Sequence, residues 1–116
     1  MKAQELKIGN YYDHNGEIRK VTPSTIEEVW NSERNWCKPI PLTEEWLLNF
    51  GFKKVVNNWY NIHAKDNTFN VYLFENSGYR VEIVSQSIGV FNHVHELQNL
   101  YFALTKTELQ WQNLEN

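Results

Sequence analysis

Apolar and polar positions along this chain switch between two periods, and the switches mark the elements. From Lys53 to Phe91 the pattern has period two, as in strands that bury one face. Val55-Val56, a turn at Asn57-Asn58 and Trp59-Tyr-Asn-Ile62 predict one hairpin. Phe69 to Phe74, the turn Asn76-Ser-Gly78 and Tyr79 to Val84 predict a second, with Val81 and Ile83 on one face and Arg80 and Glu82 on the other. Ile88 to Phe91 fits a further short strand. Two stretches carry helical spacing instead. In Pro39-Ile-Pro-Leu-Thr-Glu-Glu-Trp-Leu-Leu-Asn-Phe-Gly-Phe52 the boundaries are written out. Thr43 suits an N-cap, and Glu44 and Glu45 sit where the helix dipole favours negative charge. Leu42 and Leu47 have staple spacing; Gly51 supplies a left-handed stop with Phe52 folding back on Leu47. This predicts a helix at about 43–51. A second, at about 93–105, sets Val94, Leu97, Tyr101 and Leu104 on one apolar stripe, widened by Leu100 and Phe102.

Leu6 to Trp30 reads as short strands: Leu6 and Ile8 alternate, Gly9-Asn10 bends the chain, and Asp13-His-Asn-Gly16 makes a hairpin turn into Glu17–Thr22. Pro23 ends that strand. Ser24 to Trp30 fits a third strand or a short helix, and the strand is the preferred reading. Leu109 and Trp111 alternate with Glu108 and Gln110, which predicts a closing strand. The expectation is an α+β fold, a mostly antiparallel sheet with two packed helices, in one domain over residues 1–116. The N-terminal strands are compatible with a small partial barrel.

Composition sharpens the picture in one respect. Five Trp, six Tyr and six Phe exceed what a core of 116 residues needs, so some aromatic surface should face solvent, where it commonly serves partner binding. Cys37 is single, which excludes an intrachain disulfide and a Cys-based zinc site. The start of the chain is polar and charged, and no apolar run approaches the roughly 18 residues of a membrane helix. A soluble protein of the cytoplasm, off the membrane, is expected. Net charge is −3; residues 1–58 hold eight basic and eight acidic side chains, and residues 59–116 three and six. The basic excess of a general nucleic-acid binder is missing.

Catalytic chemistry finds little support. His93 and His95, next to Glu96, would share a face on a strand, but they fall at a helix start where positions i and i+2 diverge. A third ligand would have to come from His14, His63 or a distant carboxylate, so helix-terminus histidines are the simpler reading. Glu27-Glu28 and Glu44-Glu45 are adjacent and point apart. Asp13 and Asp66 are turn residues, which leaves too few carboxylates for a two-metal nuclease. Cys37 has no nucleophile signature around it, and five scattered glycines make no phosphate loop. No catalytic residue, metal or cofactor is expected.

Two binding candidates remain. The loop Trp30-Asn-Ser-Glu-Arg-Asn-Trp-Cys-Lys38 offers Trp30, Arg34, Trp36 and Lys38, side chains of the kinds enriched at interface hot spots; the plain alternative is that both tryptophans cap the sheet. The second set, Arg19, Lys20, Lys53 and Lys54 interleaved with Tyr11, Tyr12, Trp59 and Tyr60, mixes cations with rings that stack on single-stranded RNA. Its plain alternative, which is preferred, is a strand edge guarded by lysine.

Three blocks carry a resemblance: Glu5-Leu-Lys-Ile-Gly-Asn-Tyr11, the Pro39–Phe52 stretch quoted above, and Val94-His-Glu-Leu-Gln-Asn-Leu-Tyr-Phe-Ala-Leu-Thr105. In order and spacing they resemble a family of small, mostly uncharacterised proteins of phages and prophages of Bacteroidetes-type bacteria. Lys106-Thr107 departs from the Gly-Glu common after that helix in relatives. The blocks cap or fill core elements, so no functional residue carries over. The resemblance implies a small accessory phage protein acting on host machinery. A looser association is with inhibitors of type VI CRISPR systems, which implies a non-enzymatic anti-CRISPR that evades host defence by binding the RNA-guided RNA nuclease or its guide RNA loading. A small RNA- or DNA-binding accessory protein and a phage structural or assembly protein are the other readings.

Overall fold

The computed structural model describes residues 6–31, 37–64, 67–74, 78–83 and 86–112. Among these residues seven strands and three helices follow in chain order: β1 (Tyr11–His14), β2 (Glu17–Lys20), α1 (Pro23–Asn31), α2 (Glu44–Asn49), β3 (Lys53–Val56), β4 (Trp59–Ala64), β5 (Asn67–Phe74), β6 (Gly78–Ile83), β7 (Gln86–Phe91) and α3 (Val94–Thr105). Strands β3 to β7 form one antiparallel sheet in sequence order, and β1 and β2 form a separate two-stranded ribbon. The fold is α+β, as the alternating periods predict. The N-terminal strands close no partial barrel; among the described residues β1 and β2 form a two-stranded ribbon whose further pairing is a single bridge from Asp13 to Lys38, and all of β2 faces solvent.

Local chemistry explains most boundaries. The β1–β2 turn is the expected Asn-Gly pair, with Asn15 and Gly16 both at positive φ and the Gly16 N–H held 2.6 Å from Asp13 Oδ1. Asn58, at φ 66°, turns β3 into β4. The turn expected at Asn76-Ser77 lies outside the described residues, but Phe74 pairs with Gly78 as that hairpin requires. Helix α2 starts at Thr43, whose hydroxyl accepts the Trp46 N–H at 3.4 Å. It ends in a full Schellman pair: Gly51 N–H donates to Leu48 O at 3.1 Å and Phe52 N–H to Leu47 O at 3.0 Å. Before α3, the Glu96 carboxylate reaches back to accept the His93 N–H at 3.0 Å.

Four sequence expectations need correction. Residues 24–30 are helical. Thr22 caps them reciprocally with Thr25 (Thr25 N–H to Thr22 Oγ1 3.3 Å, Thr22 N–H to Thr25 Oγ1 3.1 Å), and Pro23 occupies the first helical position. The proline opens a helix as well as ending a strand. Leu6 to Ile8 join no ladder; the chain turns there, and Gly9 N–H donates to Val21 O at 3.0 Å. Residues 107–112 form no strand, although Leu109 is buried; side chains and one main-chain bond from Gln112 to Asn49 O hold them. Leu104 is 47% exposed, and the buried line of α3 runs through Val94, Leu97, Gln98, Tyr101 and Thr105.

The main core lies between the large sheet and the layer of α2, α3 and the tail. Tyr60, Phe69, Val71, Tyr79 and Val81 from the sheet meet Trp46, Leu47, Phe50, Val94, Leu97 and Tyr101. A small second cluster, Tyr12, Val21 and Cys37 with Ile26 and Val29 against it, seats α1 on the ribbon. One amide ties the pieces together. The buried Gln98 side chain accepts the Tyr11 N–H at 2.9 Å and donates to Gly9 O at 3.1 Å and Leu109 O at 3.4 Å. Tyr11 OH in turn accepts the Trp111 N–H at 3.0 Å. The ribbon, α3 and the tail are thereby cross-linked by polar bonds inside an apolar layer, where each is costly to lose.

Candidate functional site

Strand alternation sends every second residue of the large sheet away from the core, and no described helix lies over that outer face. One row crosses all five strands in register: Val56 faces Trp59, Trp59 faces Tyr72, Tyr72 faces Arg80 and Arg80 faces Val90. The Trp59 and Tyr72 rings stack, centroids 5.8 Å apart and planes 21° from parallel. The Arg80 guanidinium lies 5.6 Å from the Tyr72 ring centre, so a cation continues the stack. Val56 and Val90, 58% and 51% exposed, close the row with aliphatic ends.

The next row is polar: Lys53, Asn61, Asn70, Glu82 and Ser87. It steadies the first. Asn70 Oδ1 accepts the Trp59 indole N–H at 3.0 Å, and Glu82 pairs with Arg80 at 3.0 Å. Farther along, His63 Nδ1 lies 2.8 Å from Thr68 Oγ1. The Trp59 indole N–H is therefore satisfied and its ring held in place, while the faces of Trp59 and Tyr72 stay partly open, which lowers the entropy lost when a partner lands on them.

The nucleic-acid set is divided by this geometry. Trp59 and Lys53 are on the outer face. Tyr60, one residue from Trp59, is buried in the core, and Tyr11 and Tyr12 are buried as well. Lys54 reaches the α2 carboxylate of Glu44 at 3.2 Å. Arg19 pairs with Glu17 at 3.2 Å on the distant ribbon, and Lys20 lies 5.5 Å from the Tyr11 ring centre. In the other set, Trp30 projects from the end of α1 at 67% exposure, Lys38 is exposed, and Arg34 and Trp36 lie outside the described residues. The main chain of Lys38 bridges Asp13 in both directions, at 2.9 and 3.1 Å.

Sequence reasoning missed Tyr72 and Arg80. The signal was present, since Tyr72 and Arg80 alternate with buried Val71 and Val81, but only the strand register shows that they meet Trp59.

Burial first, and then the Glu44 carboxylate for both and the Tyr60 phenol for Tyr79, pushes the phenols of Tyr60 and Tyr79 above their ordinary range, and burial alone does so for Tyr101. The Cys37 thiol is raised by burial, the opposite of what a nucleophile needs. His93 and His95 stack at 5.7 Å, and His93 Nδ1 lies 3.0 Å from Glu96 Oε1 at the start of α3. Among the described residues no three His, Cys, Asp or Glu side chains gather as a metal site would require. Among them, too, no helix is long and apolar enough to cross a membrane. No family model, curated protein or solved structure matches the chain.

Proposed function

We propose that this protein acts by stoichiometric binding of a partner protein through the outer face of its five-stranded sheet, without turnover. The observation that carries the reading is the row Val56–Trp59–Tyr72–Arg80–Val90. Trp, Tyr and Arg are the side chains most enriched at hot spots, and aliphatic neighbours help exclude water around them. A protein partner is favoured over nucleic acid because Glu82 neutralises Arg80 and the chain carries a net charge of −3. In its most concrete form, which rests on the resemblance of the three blocks to phage proteins, the partner is the RNA-guided RNA nuclease of a type VI CRISPR system, or that enzyme as it loads guide RNA, in the cytoplasm of a host bacterium. The protein is then a phage or prophage inhibitor of host defence.

The test is capture of the tagged chain's partner from such a host, with and without nuclease treatment, followed by the same capture with Trp59→Ala. A protein that co-purifies after nuclease treatment and is lost with Trp59→Ala supports the reading. Retention by the variant moves the site elsewhere, first to Trp30. The second reading, a small RNA- or DNA-binding accessory protein, draws on the Trp59–Tyr72 stack beside Lys53, since rings and amides of this kind also hold unpaired bases. Its mark is binding that disappears with nuclease and falls steeply as salt rises.

A further inference from the structure

The two edges of the large sheet are not alike. Edge strand β3 carries Lys53 and Lys54, the usual protection against pairing with another chain. Edge strand β7 reads Gln-Ser-Ile-Gly-Val-Phe, six residues with no ionisable side chain and no proline. Both edges contain one register irregularity, between Lys54 and Val56 on β3 and beside Ile88 on β7, so the bulge does not distinguish them and the charge does. On the edge itself Ile88 and Val90 are about half exposed. Behind it, on the neighbouring strand, Arg80 is paired with Glu82 at 3.0 Å. Past Phe91 the chain is already paired, Leu42 N–H to Asn92 O and Val94 N–H to Ile40 O, each at 2.9 Å, which leaves Gln86–Phe91 as the stretch with no second strand partner among the described residues.

We infer that β7 is a self-association edge, on which the same strand of a second copy pairs antiparallel and joins two five-stranded sheets into one. A two-fold axis repeats every charge of the strand within the same short two-stranded ribbon, so like charges are brought close to one another. At β3 that would bring lysines together; at β7 it brings only neutral groups. The faces also agree. Gln86 pairs with Ile83 and Phe91 with Tyr79, on the core side, while Ser87 and Val90 pair with Glu82 and Arg80 on the outer side. A register that sets Gln86 opposite Phe91 of the second copy, and Ser87 opposite Val90, keeps like faces together. It also sets the exposed Ile88 opposite Gly89, where a missing side chain leaves room. The joined sheet would carry two copies of the Trp59–Tyr72–Arg80 row on one surface; the pairing itself does not depend on what binds there.

Sedimentation equilibrium of the full chain over a concentration series tests this. The mass should rise from 13.9 kDa to twice that value. Ile88→Lys with Val90→Lys should hold it at a single chain at every concentration with an unchanged melting temperature, and Val56→Lys on the other edge should leave the doubling intact. If the double variant fails to fold, amide exchange on the unaltered chain gives the answer instead: β7 amides should exchange more slowly as concentration rises, and β3 amides should not. A single-chain mass throughout, a dimer that survives both lysines, or β7 exchange independent of concentration overturns the inference. A chain that stays single yet loses a captured partner with Ile88→Lys alone, which leaves the Val56–Trp59–Tyr72–Arg80–Val90 row unaltered, would assign the edge to a partner's strand and overturn self-pairing.

Discussion

Trp59 and Tyr60 are neighbours in sequence and opposites in role. Tyr60 is packed into the core with Phe69, Val71, Tyr79 and Val81, while Trp59 stands on the far side of the same sheet beside Tyr72 and Arg80. The inner face is almost wholly apolar and filled; the outer face carries two stacked rings, the Trp59 indole N–H tied to Asn70, and a cation tied to Glu82. The difference separates two kinds of work. Inner side chains hold the fold by removal of apolar area from water, at about 25 cal/mol per Å². Outer ones add little to folding and offer a prearranged surface to something else.

The comparison breaks most visibly at Phe69, which is fully buried. Phe69→Ala should cost about 3–5 kcal/mol in a denaturant titration, because a cavity replaces a ring. Tyr72→Ala on the outer face should cost about 1.5 kcal/mol or less, the worth of its ring pairing. Equal losses would mean the outer face is also core. Next comes Trp59→Ala, expected to weaken partner affinity by about 2 kcal/mol or more while the melting temperature holds. Unchanged affinity would remove the outer row from the site.

Gln98→Leu should destabilise by about 1–3 kcal/mol, since the Tyr11 N–H loses its buried acceptor. It should also speed proteolysis of the tail that the same amide holds through Leu109 O. A variant as stable as the parent would show that the ribbon and tail are held by packing alone. Thr43→Ala should cost about 1 kcal/mol through the lost cap of α2, measured as a shift in the denaturant midpoint. The smallest effect is alkaline. Tyr60 and Tyr79 have raised pKa values in the fold against 10.0 for an ordinary phenol, so the unfolded chain loses those protons first. Stability from this source is fully present below about pH 10 and falls as pH rises through the higher folded values. Tyr60→Phe should make the fall shallower, and an identical slope would exclude Tyr60 as its source.

Elements with strong local signals were legible in advance: α2 from Thr43 and Gly51, the first hairpin from Asn15-Gly16, the β3–β4 turn from Asn57-Asn58. The misreading at residues 24–30 came from giving Pro23 one meaning. Its missing N–H ends a strand and equally suits the first position of a helix, and Thr22 with Thr25 decided between them. The tail was misread because Leu109 and Trp111 alternate like a strand, while their partners are a distant amide and a phenol. The candidate site was half legible: Trp59 and Lys53 were named, but grouped by proximity in sequence with Tyr60 and Lys54.

Sequence alone determined the local choices, because caps, turn residues and period-two alternation act over a few residues through bonds and sterics that any short segment contains. Only the tertiary structure decided what meets what. Strand register set Tyr72 and Arg80 beside Trp59 across 21 residues of chain, and the side on which α2 and α3 packed determined which of two alternating aromatic sets became core and which was left open. Register and layer are non-local. They follow from burying the larger apolar face against the helices, a comparison the molecule makes over the whole sheet at once.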